Sequence, residues 1–217
     1  MRLYLSSFRL GDHASELVRL AADKTHAVVI ANAADHKTKS DRQDSVETEF
    51  SLLKQLGFKP TELDLRDYFG APDQAARLTA ALSNCDILWV RGGNAFNLRR
   101  AFKQSGLDQI LPAMLERDQF VYAGYSAGID MLAPSLKGIE LVDPPHDIPA
   151  GYEPEIIWEG LDILAYVVAP HYKSDHPEAI DIDKSVDYLI NNHIPFIALR
   201  DGEEIIRDGP TETITTL

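Results

Sequence analysis

Apolar residues along the chain fall into short runs separated by helical spacings. Residues 3–5 (LYL) predict a first strand and residues 27–31 (AVVIA) a buried second one. Between them, residues 13–23 place Leu17, Leu20 and Ala21 on one face of a helix. The polar stretch 32–44 (NAADHKTKSDRQD) predicts a loop. Val46, Phe50, Leu53 and Leu56 then form one helical stripe, with Gly57 suited to its C-cap. Residues 61–65 alternate like an edge strand, 73–84 read as helix, and 86–90 (DILWV) as strand. Helical segments follow at 95–103 and 107–117, then a strand at 119–123. Residues 134–160 are rich in proline, glycine and acids and predict an excursion near the site. Beyond it come a strand at 163–169 and a helix marked by Ile182, Val186, Leu189 and Ile190. Short strands at 196–199, 204–207 and 211–216 close the domain, the last two joined by an Asp208-Gly209 turn. Strands alternating with helices predict an α/β fold, a mostly parallel sheet with helices on both faces. Without repeats or a linker, the 217 residues predict one domain, 1–217.

Composition narrows the function. A formal net charge of −13 argues against nucleic acid and anionic membranes as partners. The single cysteine, Cys85, leaves no intrachain disulfide and implies no oxidising compartment. The N-terminal apolar run is too short for a signal peptide, and no stretch approaches the roughly 18 apolar residues of a membrane span. A soluble, cytoplasmic protein is expected.

The candidate chemistry lies where FVYA meets Gly124-Tyr125-Ser126-Ala127-Gly128. A serine between small residues, at a strand-to-helix bend, is either a tight packing turn or a nucleophile elbow. In an elbow the glycines let strand and helix approach, and Ser126 projects above the sheet. The Ala127 amide would then face a developing oxyanion at a helix N-terminus. A second strand ends in Arg91-Gly92-Gly93-Asn94. Taken alone it is a turn in which Asn94 caps the next helix; beside an elbow, Gly92 and Gly93 become a source of a second oxyanion amide. Of seven histidines, His171 is the one directly after a strand's carboxyl end. His13, His26 and His36 lie near element starts or in the early loop, His146 in the excursion, and His193 before a strand. His176, at a helix start, could serve substrate binding or face solvent. The orienting acid stays open among Asp201, after the strand 196–199, and Glu140 and Asp143 in the excursion.

The segments LWVRGGNAFNLRRAF, YAGYSAGIDML, GLDILAYVVAPHY and FIALRDGEEI, in this order, resemble the dipeptidase E (aspartyl dipeptidase) and cyanophycinase family of serine peptidases. The resemblance implies a three-layer flavodoxin-like fold related to class I glutamine amidotransferases. It implies Ser126 as nucleophile, His171 as base, and the Gly92-Gly93 loop with Ala127 as oxyanion hole. Asp201 stands where the family places a glutamate. The family also gives an acid after the serine helix a role; Glu140 is nearest in spacing and Asp143 next. Arg91 stands where a third glycine is often found. Dipeptidase E recognises an N-terminal aspartate with basic residues, including an arginine downstream of the histidine. That region reads YKSDHPEAIDIDKS here, with lysines and no arginine. Asn94, Lys173 and His176 are the candidate substrate contacts. The implied substrate is a short peptide, no metal or organic cofactor is required, and the family often forms homodimers. Two other readings are an esterase and a non-catalytic ligand-binding or regulatory member of the fold.

Overall fold

The computed structural model describes residues 1–216. A seven-stranded sheet has the order β3-β2-β4-β5-β1-β8-β9. The strands are β1 (Arg2–Ser6), β2 (His26–Ile30), β3 (Lys59–Glu62), β4 (Ile87–Val90), β5 (Val121–Tyr125), β8 (Glu204–Asp208) and β9 (Thr211–Ile214). The pairings from β3 through β1 are parallel, and β8 and β9 close the far edge antiparallel.

Side chains alternate across the central strands, and both faces are buried. Leu3, Leu5, Leu88, Val90 and Tyr122 face one core, which α4 (Ala95–Ser105) and α5 (Leu107–Glu116) cover, with α3 (Gln74–Ala81) packed against α5 and adding Leu78. Tyr4, Ile87, Trp89, Val121 and Ala123 face the other, under α1 (Ala14–Ala21) and α2 (Lys39–Gln55). The result is a three-layer α/β sandwich of flavodoxin-like type. Among the described residues no helix is long and apolar enough to cross a membrane.

The sequence reading fails at two places. The stretch 32–44 is not all loop. It forms a 3₁₀ turn at Asn32–Ala34 and the first turn of α2, capped by the Thr38 hydroxyl accepting from Asp41 N at 3.2 Å. Its polarity hid the start of the helix because the buried face of α2 carries polar residues beside Val46 and Leu53. Arg42, Ser45 and Glu49 are buried, Arg42 through an ion pair with Asp35 at 2.5 Å. The second departure concerns the strands expected at 163–169 and 196–199. Only β6 (Val167–Ala169) and β7 (Phe196–Ala198) form, and they pair with each other in a separate parallel sheet. The β8–β9 hairpin occupies the edge beside β1, so no position there is open to β7.

The excursion is fastened by α4. Arg100 donates to the carbonyls of Glu155 (3.0 Å) and Pro145 (2.6 Å), and Arg99 to that of Glu159 (2.7 Å). A segment with little regular structure thereby has its carbonyls satisfied against a rigid helix.

The four-residue α6 (Ala127–Asp130) leaves β5 against β4. A Cβ added at Gly124 would lie 2.5 Å from the Val90 carbonyl oxygen, and at Gly128 2.2 Å. Both clashes are with backbone, which cannot rotate away. Gly128→Val is therefore expected to cost more than about 3 kcal/mol. For a chain of this size that lowers the Tm by about 6 °C or more, read by a thermal melt. An unchanged Tm would show that the close approach is not needed.

Candidate active site

Three neighbouring strands end on one rim. β1 runs into Ser7 and Phe8, β4 into Arg91-Gly92-Gly93-Asn94, and β5 into Ser126. Phe8, Arg91, Gly92, Gly93, Asn94 and Ser126 line an open cavity of about 610 Å³, shared with α2 and the segment after β6.

Ser126 has φ 49° and ψ −124°, a backbone region a side chain occupies only when its surroundings impose it. The imposition is visible. Its carbonyl accepts from Ile129 N at 2.8 Å and Asp130 N at 3.2 Å, starting α6. Gly92 abuts it: a Cβ there would lie 2.9 Å from the Ser126 Cβ and 2.8 Å from the Tyr125 ring. Tyr125 is itself held, donating from its hydroxyl to Glu49 at 2.7 Å. Glu49 also accepts from Trp89 Nε1 at 2.8 Å and pairs with Arg91 Nε at 3.3 Å. One buried carboxylate from α2 thus ties together the residues flanking both turns. Gly93, at φ 140°, could carry no side chain, since a Cβ would meet the Ala33 carbonyl oxygen at 2.6 Å. Ala127 is fully buried behind Ser126 as the first residue of α6.

The second half of the site comes from the small sheet. β6 and β7 run side by side, so His171 and Asp201 emerge past adjacent carboxyl ends. His171 Nδ1 lies 2.7 Å from Asp201 Oδ1. Ser7 joins them: its hydroxyl accepts from His171 N at 2.8 Å and donates to Asp201 Oδ1 at 2.8 Å. Burial alone would raise the Asp201 pKa, but the hydrogen bonds from His171 and Ser7 outweigh it and hold the pKa below the ordinary carboxylate value. An ionised Asp201 accepts a hydrogen bond from Nδ1–H, which keeps the proton on Nδ1 and leaves Nε2 as the free lone pair. His171 and Ser126 line the same cavity, and among the described residues no hydrogen bond joins them.

The rival acids go elsewhere. Glu140 accepts from Gly138 N at 2.5 Å, closing its own turn, and does not line the cavity. Asp143 lines it, but its carboxylate accepts from Ala95 N at 2.7 Å, at the start of α4. Burial, chiefly, and the nearby Glu178 push the Asp143 pKa up to about 7. A carboxyl with a raised folded pKa stabilises most below its unfolded pKa, and that stability is lost as pH rises through about 7. Asp143→Asn, which can still accept from Ala95 N, should therefore match wild type near pH ~4 and exceed it in Tm at pH ~8. Equal melting temperatures at both pH values would contradict the burial argument.

Of the expected substrate contacts, Asn94 lines the cavity, yet its side chain accepts from Asn97 N at 2.9 Å and donates to the Pro144 carbonyl at 3.0 Å. Lys173 is not at the cavity; it points outward to Asp183 at 2.6 Å. His176 lines the cavity and stacks on His171, ring centroids 3.7 Å apart and planes 7° from parallel. Ser7, Phe8, Glu49 and Glu178 were not singled out from sequence. Ser7 had a readable signal, since it directly follows the first apolar run. Glu49 had none: an acid within a polar helix looks solvated.

His171, His176 and Glu178 have ligand atoms within 4.8 Å of one another. Their arrangement does not suit a metal ion. Imidazole lone pairs lie in the ring plane, and two parallel planes 3.7 Å apart share no point for an ion to occupy.

The model of peptidase family S51 matches residues 11–215. A peptidase E of Streptomyces coelicolor (strain ATCC BAA-471 / A3(2) / M145) is 30% identical over 155 residues, covering 68% of this chain and 57% of that protein, a little over half its length. An uncharacterized peptidase of Listeria innocua serovar 6a is 27% identical over 176 residues, covering 77% of this chain and 79% of its own. Among solved structures, one from Listeria monocytogenes EGD-e, designated a peptidase E, aligns over 100% of this chain and 98% of its own, with TM-score 0.79 and 22% identity. A peptidase from an acI-B1 Actinobacterium aligns over 99% and 86% with TM-score 0.69 and 14% identity; these two bear on the fold alone.

Proposed function

The chain belongs to peptidase family S51 and is a serine-type peptidase, and on that premise we propose that it cleaves short peptides through Ser126, His171 and Asp201. The observation that carries this reading is the Asp201–His171 hydrogen bond of 2.7 Å in the wall of the cavity that holds the strained Ser126.

Ser126 sits at the tip of a nucleophile elbow. Its Oγ attacks the peptide carbonyl carbon as the proton passes to His171 Nε2. Asp201, on Nδ1, orients the ring and stabilises the imidazolium. The Ser126–His171 hydrogen bond forms when substrate closes the cavity, as such bonds commonly tighten only in the complex. Amides of Ala127 and the Gly92-Gly93 loop hold the oxyanion; losing one such donor costs about 3–4 kcal/mol of barrier. The imidazolium gives its proton to the leaving nitrogen and the C–N bond breaks. His171 then takes a proton from water, whose oxygen attacks the acyl carbon; as the acyl C–O bond breaks and the acid leaves, the imidazolium returns that proton to Ser126 Oγ. The loops around the cavity favour short peptides over folded chains.

A serine-reactive phosphonate tests the reading. It should label wild type once per chain and leave Ser126→Ala unlabelled. No labelling of wild type would instead indicate a non-catalytic member of the fold. A dipeptide library read by mass spectrometry then identifies the preferred residues.

A further inference from the structure

His176 has no part in the scheme above, yet its ring lies flat against that of His171 at 3.7 Å. Phe8 closes the edge of the pair, its ring centroid 5.6 Å from His171 and 5.2 Å from His176, inclined by 68° and 64°. The three rings come from two segments, Phe8 after β1 and both histidines after β6, and form one aromatic wall of the cavity.

The tautomer of His176 is set by its own backbone. Glu178 N donates to His176 Nδ1 at 3.3 Å, which requires a lone pair there. The ring is therefore neutral, with any proton on Nε2. The charged or titratable groups facing it are His171 in the stack, Glu178 with Oε2 at 3.9 Å from Nδ1, Asp201 beyond His171, and Arg9 over the Phe8 ring. Burial and the adjacent His171 lower the His176 pKa below the ordinary histidine value, and the two carboxylates only partly oppose this. Two stacked imidazolium rings would repel at van der Waals distance, so the pair carries at most one charge.

We propose that His176 is a positioning residue of the peptidase, a neutral aromatic face that fixes the His171 ring and stabilises the imidazolium formed when His171 takes the serine proton. The inference rests on His171 being the base. A cation against the face of a neutral aromatic ring is favoured, and more so where water is excluded. At the pH of turnover, where the resting base is neutral, the cation exists only during the reaction, so the contact is stronger in the transition state than in the resting enzyme and acts on kcat rather than KM. His176 is thereby assigned to the base rather than to substrate.

Two substitutions separate the aromatic face from mere bulk. His176→Leu keeps apolar volume without a π-face; His176→Phe keeps the face and cannot titrate. In His176→Leu, kcat should fall by about 5- to 30-fold with KM unchanged. The acid limb of kcat/KM should move down by about 0.7–1.5 pH units, the same factor expressed as lost imidazolium stabilisation. His176→Phe should restore both to near wild type. Wild-type behaviour of His176→Leu overturns the proposal, as does a Phe variant as impaired as the Leu variant. A rise in KM alone makes His176 a substrate contact and also overturns it.

An NMR titration of the His176 ring in Ser126→Ala does not depend on activity or on a stable Leu variant. With His171→Asn added, its midpoint should rise, because the neighbouring charge is gone; an unchanged midpoint shows that the rings are not coupled in solution. Phosphonate labelling reports on the peptidase reading separately: lost labelling in Ser126→Ala sustains it whatever the His176 variants do.

Discussion

Ser126→Ala is expected to abolish peptide hydrolysis, with turnover lower by about 10⁵–10⁶-fold where a serine acts as in a serine-protease triad, while the Tm stays near that of wild type. The two halves of this expectation have different physical origins. The fold around Ser126 depends on what its neighbours lack. Gly92, Gly124 and Gly128 leave room for contacts with Tyr125, Ser126 and the Val90 carbonyl that any side chain would block. The Ser126 hydroxyl caps nothing: α6 starts from the Ser126 carbonyl, with no side-chain cap. Among the described residues, removing the hydroxyl takes away no structural hydrogen bond, and alanine carries a Cβ of the same geometry. Circular dichroism and a melt should look unchanged while turnover disappears. Wild-type turnover in the Ala variant would remove Ser126 as nucleophile. A collapsed Tm would mean that the hydroxyl has a structural partner in solution.

Asp201→Asn should lower turnover by about 10⁴-fold with KM little changed. The carboxylate combines two roles that an amide does not. It accepts hydrogen bonds from Nδ1–H of His171 and from the Ser7 hydroxyl through one oxygen, at 2.7 and 2.8 Å, and it carries the charge that offsets the imidazolium. An Asn carbonyl can accept both hydrogen bonds but has no charge, and turning its NH₂ toward Nδ1 selects the unproductive tautomer. Asp143→Asn and Glu140→Gln should retain most activity, because Asp143 is spent on Ala95 N and Glu140 on Gly138 N. Asp201→Glu is the informative control. The side chain is one methylene longer, while the 2.7 Å contact already fits the shorter acid in the turn after β7. Reduced activity for Asp201→Glu is expected, since the extra length must displace Ser7. If Asp201→Asn keeps wild-type turnover and Asp143→Asn is inactive, the acid belongs to the excursion after all.

Periodicity alone carried the layers of the fold. Leu3, Leu5, Val28 and Leu88 fall in runs that only a doubly covered parallel sheet can bury, and the helices between them have their own apolar spacing. The two glycine turns were legible for a similar reason: Gly124, Ser126, Gly128 and Gly92-Gly93 sit where a strand gives way to a helix, and a backbone that must pass that closely leaves a local mark. His171 was legible as a histidine directly after a strand.

Contacts between segments far apart in the chain left no such mark. Asp201, Glu140 and Asp143 are equivalent as letters near strand ends or loops. What separates them is that β6 and β7 pair in parallel and aim one carboxylate at one imidazole, across 30 residues of chain. Ser7, just past the first strand, completes that contact from 194 residues away. The polar first turn of α2 read as loop because Arg42 is buried by a partner, Asp35, that only the folded chain brings near, and Glu49 further along the helix is buried in the same way by Trp89 and Tyr125. The stack of His176 on His171 belongs to the same class: five residues of sequence separation fix neither a ring plane nor a distance of 3.7 Å. Local sequence determines where a backbone must bend and which face must be dry, because sterics and hydration act within a few residues. The pairing of charges and rings depends on loop closure between distant segments, and only the tertiary structure decides it.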